Sequence, residues 1–181
     1  GVIPCGIPYM FSSLENPLQN KLGTAPLDKN GIEVIIDDAV KIKRPEKALE
    51  TANGTEYTYD KLILATGSLP VIPPIPGIGK KYIYPVHKNM DYLKAAISRV
   101  KASKNVLVIG GGFIGVEFAD ELSRIKNLNV YLVEMLPNLL ANSFDMEFSN
   151  MVEERLKSSG VNILINTRVE EFIGGENVEK A

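Results

Sequence analysis

Gly110, Gly112 and Gly115 stand in the spacing G-x-G-x-x-G where the all-apolar run VLVIG meets a segment of helical periodicity opening at Phe113. The spacing alone is common, but a strand before it, a helix after it and an acid closing the next strand give it chemical meaning. In that context Gly110 permits a tight turn, Gly112 has no side chain to hold off a pyrophosphate, and Gly115 lets the helix lie close on the strand. The first free N–H groups of the helix then face the phosphates. Glu134 ends the second strand in YLVEML, 19 residues past Gly115, where a carboxylate accepts hydrogen bonds from both ribose hydroxyls of an adenosine. A 2′-phosphate beside that carboxylate meets a like charge at about 4 Å, which costs about 4 kcal/mol at an effective dielectric near 20. No arginine follows in MLPNLLANS to offset it. The expected ligand is therefore NADH, preferred over NADPH by about 100-fold or more after screening. Phe113, Ile114 and Glu117 complete the candidate nucleotide positions. Phe113 reads either as packing under the helix or as an aromatic at the mouth of the cleft. Glu117 is either a first-turn carboxylate favoured by the helix dipole or a contact near the nicotinamide.

Cys5, in VIPCGIPYM, is the only cysteine. An internal disulfide and a zinc site built from several cysteines are therefore excluded, and no metal site is expected. A buried filler, a surface thiol and a reactive thiol remain open. His87, the single histidine, lies in YPVHKN and reads as a surface or structural residue rather than an acid or base.

The elements that position these residues follow from periodicity. GIEVII at 31–36 and AVKIK at 39–43 read as strands, and ALETA and TEYTY around Asn53-Gly54 as a hairpin with a two-residue type I′ turn. Within KLILATGS at 61–68, Leu62 to Ala65 is continuously apolar, as for a strand covered on both faces. Four prolines then fall within LPVIPPIPGIGK, which can be neither helix interior nor central strand. Beyond it the pattern is a helix starting near Asp91 with Asp91 as cap. Strand (105–112), helix (113–125), strand (129–135), helix (146–160) and strand (161–165) follow, an order that implies a parallel sheet. The predicted fold class is α/β, a Rossmann-like parallel sheet joined to a part-domain with a small β-meander, and the predicted boundary separates residues 1–75 from 76–181.

The 181 residues are 45% hydrophobic and 23% charged, ordinary values for a globular chain with a real core. A net charge of -2 gathers neither nucleic acid nor anionic membrane. With no apolar run long enough for a membrane helix, no signal-peptide pattern and one cysteine, the expected location is the cytoplasm.

VIPCGIPYM, YTYDKLILATGSLPVIPPIPGI and VLVIGGGFIGVEFADEL with VYLVEMLPNLL together resemble the flavin-dependent pyridine nucleotide-disulfide oxidoreductases, in the single-cysteine branch of NADH oxidases, NADH peroxidases and coenzyme A-disulfide or persulfide reductases. The resemblance implies that hydride passes from NADH to FAD and that Cys5 carries electrons onward, as a sulfenic acid or a mixed disulfide, to a disulfide, persulfide, peroxide or oxygen. The dithiol branch has a second cysteine where this chain has Met10. A helix opening in GIPYMFSSL would favour the thiolate. By the same resemblance Phe113 is the aromatic over the flavin, Glu117 the acid near the nicotinamide, and Ala65, Thr66 and Gly67 lie along FAD. The family's first glycine-rich motif and its C-terminal dimer domain have no counterpart in the chain. The expectation is an internal piece of a homodimeric enzyme: a partial FAD domain at 1–75, which makes retention of FAD doubtful, and a truncated NAD(H) domain at 76–181. Two alternatives carry different chemistry: a ferredoxin- or rubredoxin-reductase-like flavoprotein in which Cys5 is incidental, and a non-catalytic NADH-sensing module.

Overall fold

The computed structural model describes residues Gly1–Ala181 and divides them into two compact units, Gly1–Leu22 with Pro70–Ala181, and Gly23–Leu69. The division places the cysteine segment in the same unit as the glycine-rich motif.

The larger unit is a three-stranded parallel sheet in the order β4 (Asn105–Ile109), β5 (Asn129–Val133), β6 (Asn162–Leu164). Asn105 pairs with Asn129, and Tyr131 with Asn162. Three helices supply its core: α2 (Met90–Lys101), α3 (Phe113–Ser123) and α4 (Met146–Ser158). Leu93, Ala96 and Ile97 of α2, Phe118, Ala119 and Leu122 of α3, and Leu156 of α4 bury themselves with Val130 and Leu132 of the sheet. The strand–helix alternation from 105 to 165 is as expected, because apolar runs and 3.6-residue periodicity coincide there with a complete set of partners. The cap of α2 is different: Asn89, not Asp91, receives the Tyr92 N–H at 2.9 Å, and Asp91 sits in the first turn. The side-chain oxygen must come from a residue still in extended conformation, and Asn89 has φ -109 and ψ 127. His87 meets the Tyr92 ring edge-on at 5.0 Å, a packing contact.

The smaller unit holds the one-turn α1 (Ala25–Asp28) and an antiparallel meander, β1 (Ala39–Lys43), β2 (Ala48–Thr51) and β3 (Glu56–Thr58). The hairpin forms, but its loop has three residues rather than two. Thr51 N–H donates to Thr55 O at 3.0 Å and Gly54 N–H to Thr51 O at 2.9 Å. Only Gly54 has positive φ (+85), so the turn is not type I′.

Two expected strands are absent. Residues 31–36 and 61–68 belong to no sheet, and Ile36 is 92% and Ile63 87% exposed. An apolar run becomes a central strand only with a partner along each edge and a layer on each face. The meander strands in this unit pair with one another instead. No helix of the chain is long and apolar enough to cross a membrane.

Candidate nucleotide site

The three glycines of the motif have separate geometric reasons. Gly110 follows β4 with φ +100, in the region that L side chains rarely adopt. A Cβ on Gly115 would lie 1.8 Å from the Gly110 carbonyl oxygen, so α3 leaves the strand at a distance that only hydrogen permits. A Cβ on Gly112 would meet no atom within 4 Å, and the space over this residue is open. Gly112 is the N-cap of α3 and no side chain caps the helix. Its first-turn N–H groups, lacking partners within the helix, are directed outward from the glycine turn.

Glu134 follows β5 and is half-buried. Its Oε2 accepts the Gly111 N–H at 2.6 Å and its Oε1 the Leu136 N–H at 2.8 Å. Two backbone donors thus fix the carboxylate beside the turn, and its remaining lone pairs are free for further donors. Gly111 is buried against Leu139, whose Cδ2 would be 2.4 Å from a Cβ at that position. The cradle is open at Gly110 and Gly112, closed at Gly111 and Gly115, and negatively charged at one end. These features suit a dinucleotide with a free 2′-hydroxyl.

Phe113 and Ile114 are exposed, at 54% and 59%, so Phe113 does not pack under the helix. Its ring meets Phe144 edge-on at 5.8 Å. One turn along α3, exposed Glu117 helps line a groove of about 490 Å3 with Tyr9, Asp120, Phe144, Phe148 and Met151.

Cys5 is exposed in a 3-10 turn, Pro4–Gly6, followed by a second, Pro8–Phe11. No α-helix opens there, because Pro4 and Pro8 sit four residues apart and interrupt the i to i−4 ladder. The segment is fastened to α3. Ile7, Met10 and Phe11 are buried, and Phe11 meets Phe118 edge-on at 5.1 Å. Buried Glu121 accepts from the Ser12 hydroxyl, from the Ser13 N–H at 3.1 Å and from the Ser13 hydroxyl at 2.9 Å. Glu121 lies on the buried stripe of α3 between Phe118 and Leu122, and a carboxylate at such a position requires buried donors. A carboxylate on an otherwise apolar helix stripe is the sequence signal for such a contact. Ala65, Thr66 and Gly67 lie in the smaller unit, exposed and outside any strand.

Residues 11–181 match the family described as Pyridine nucleotide-disulphide oxidoreductase. The chain is 33% identical over 167 residues to an NADH oxidase of Enterococcus faecalis, covering 92% of this chain and 36% of that protein. A NAD-dependent persulfide reductase from A. fulgidus superposes with a TM-score of 0.83 at 27% identity, over 98% of this chain and 35% of the other. A ferredoxin reductase from Rhodopseudomonas palustris superposes with a TM-score of 0.81 at 28% identity, over 93% of this chain and 42% of the other. The chain thus spans well under half the length of these relatives. A match over nearly the whole chain, on a parallel sheet with this glycine turn and a fixed acid, places it in one family: the chain belongs to the pyridine nucleotide-disulphide oxidoreductases.

Proposed function

We propose that the chain is the NADH-binding part of a flavin-dependent NADH oxidoreductase whose single redox thiol is Cys5. The observation that carries the reading is the glycine turn, open where a pyrophosphate has to lie and closed where the helix has to approach the strand. The α3 N-terminus faces the phosphates, Glu134 takes the adenosine ribose hydroxyls, and Phe113, Ile114 and Glu117 line the nicotinamide end. Bound NADH supplies hydride. The residues of this chain bind and orient it, and the Glu134 charge works against a 2′-phosphate.

The assignment of residues 1–75 to a partial FAD domain and of 76–181 to an NAD(H) domain is part of the same reading, as is a homodimeric parent. FAD enters through the family, and Ala65, Thr66 and Gly67, exposed and outside any strand of their unit, are the residues that would lie along it. Cys5 is exposed to a small acceptor, and the position of a second cysteine is held by Met10, which is buried in the core. Both facts support a thiol that works without an internal partner, on a disulfide, persulfide, peroxide or oxygen. Identity to a protein named NADH oxidase and likeness to one named persulfide reductase support the same class of acceptor.

Likeness to a ferredoxin reductase supports a second reading, in which electrons leave to a protein and Cys5 is incidental. Alkylation of Cys5 in the full-length enzyme separates the two. On the first reading NADH-driven reduction of disulfide, persulfide, peroxide or oxygen collapses; its survival, with reduction of a protein acceptor also intact, selects the second.

A further inference from the structure

We propose that Glu153 of α4 is a positioning residue for the nucleotide, acting through Leu139 and Leu140 on the glycine turn; the proposal rests on the reading of Gly110–Glu134 as an NADH site. Glu153 is only 5% exposed, and a buried carboxylate is costly unless its oxygens find donors. Its Oε1 accepts the Leu139 N–H at 3.2 Å, while Lys157 Nζ stands 3.4 Å from Oε2. Lys157 is itself more than half exposed, and an ion pair at a water-facing rim contributes little. The Leu139 N–H is the partner that accounts for a carboxylate at this depth.

Leu139 and Leu140 lead directly to the turn. The Leu139 side chain is fully buried and backs onto Gly111, leaving no room there for a Cβ. Leu140 has φ +55, a left-handed conformation that a residue other than glycine keeps only when its surroundings hold it. Its N–H donates to Gly111 O at 2.8 Å. The Gly111 N–H in turn donates to Glu134 Oε2 at 2.6 Å. Both polar groups of Gly111 are therefore committed, one to the loop anchored by Glu153 and one to the carboxylate that reads the ribose. The path from Glu153 to Glu134 runs entirely through direct contacts. Loss of the first one frees a strained loop and, with it, the orientation of the acid that discriminates NADH from NADPH.

Three variants isolate the hydrogen bond from the charge. Glu153→Asp keeps the charge toward Lys157 but falls one methylene short of the Leu139 N–H. Glu153→Gln keeps an acceptor oxygen at full reach and loses the charge. Exposed Glu154→Gln is the control. NADH and NADPH affinities are measured by calorimetry on the whole chain, with amide exchange at Leu139 and Leu140 and across β4–β6. A buried N–H left without an acceptor weakens what depends on it by about tenfold. The expected result is an NADH dissociation constant raised about tenfold in Glu153→Asp with a smaller NADH-to-NADPH preference, recovery toward the native value in Glu153→Gln, and no change in the control. Faster exchange at Leu139 and Leu140 accompanies the loss while β4–β6 stay protected. The proposal is overturned by a native-like Glu153→Asp, or by the reverse order in which Asp restores and Gln does not. If the native chain binds no NADH, the nucleotide reading falls and exchange judges the link on its own: acceleration at Leu139 and Leu140 in Asp but not Gln supports it, and equal exchange overturns it.

Discussion

Placing one methyl at Gly112 or at Gly115 separates the ligand's space from the protein's. At Gly115 a Cβ starts 1.8 Å from the Gly110 carbonyl oxygen, and real Cβ atoms stay beyond about 3.0 Å, so α3 has to retreat from β4 by at least 1.2 Å. The obstacle is backbone at the turn rather than the free end of a side chain, and overpacking of this kind costs about 1–3 kcal/mol or somewhat more. Gly115→Ala should therefore lower the urea midpoint of the larger unit and weaken NADH, because the helix N-terminus moves with the helix. At Gly112 the same methyl meets nothing within 4 Å and φ is -76, so the fold accepts it at the cost of about 1 kcal/mol or less, the usual preference at an N-cap. The space it fills is where the pyrophosphate lies in the proposed complex. Gly112→Ala should keep the unfolding midpoint close to native and lose NADH affinity by about tenfold or more. Urea unfolding followed by circular dichroism and calorimetric titration with NADH are the two assays. A Gly112→Ala protein that binds NADH like the native chain would refute the placement of the pyrophosphate, and a Gly115→Ala protein as stable as native would refute the close approach of α3.

Glu134→Gln should reduce the preference for NADH over NADPH by about tenfold or more, read from the two dissociation constants; an unchanged ratio removes the charge argument. Glu121→Ala strands the Ser12 and Ser13 donors, costs about 1–3 kcal/mol locally, and should accelerate amide exchange at Ser13 and alkylation of Cys5 while β4–β6 remain protected. Burial, and then the neighbouring Tyr84, push the Tyr92 hydroxyl above its ordinary value of 10.0. A group that holds its proton more tightly when folded contributes stability that is fully present below pH 10.0 and is lost as pH rises through its higher folded value. Denaturant midpoints should fall above pH 10, and Tyr92→Phe should flatten that fall; an equal slope in both proteins contradicts it.

The parallel half of the fold was legible because its signals agree: VLVIG, NVYLV and VNILI are apolar runs separated by helical periodicity, and each has its partners within the chain. The runs at 31–36 and 61–68 carry the same apolar signal and form no strand, since pairing is a property of neighbours rather than of the run itself. The hairpin at Asn53-Gly54 was legible as a reversal but not as a turn type, because the same dipeptide closes a three-residue loop when only its glycine takes positive φ. In the site, G-x-G-x-x-G and Glu134 could be read from spacing. The partners of Glu121 and Glu153 could not, because their donors come from segments 108 and 14 residues away. Only folding brings Ser13 to one and Leu139 to the other.

Titrating NADH and NADPH separately into the purified chain by calorimetry decides whether Gly110–Glu134 is a dinucleotide site. One NADH site per chain is expected, with NADPH weaker by about 100-fold or more. No heat with NADH, or equal affinity for the two nucleotides, would contradict it.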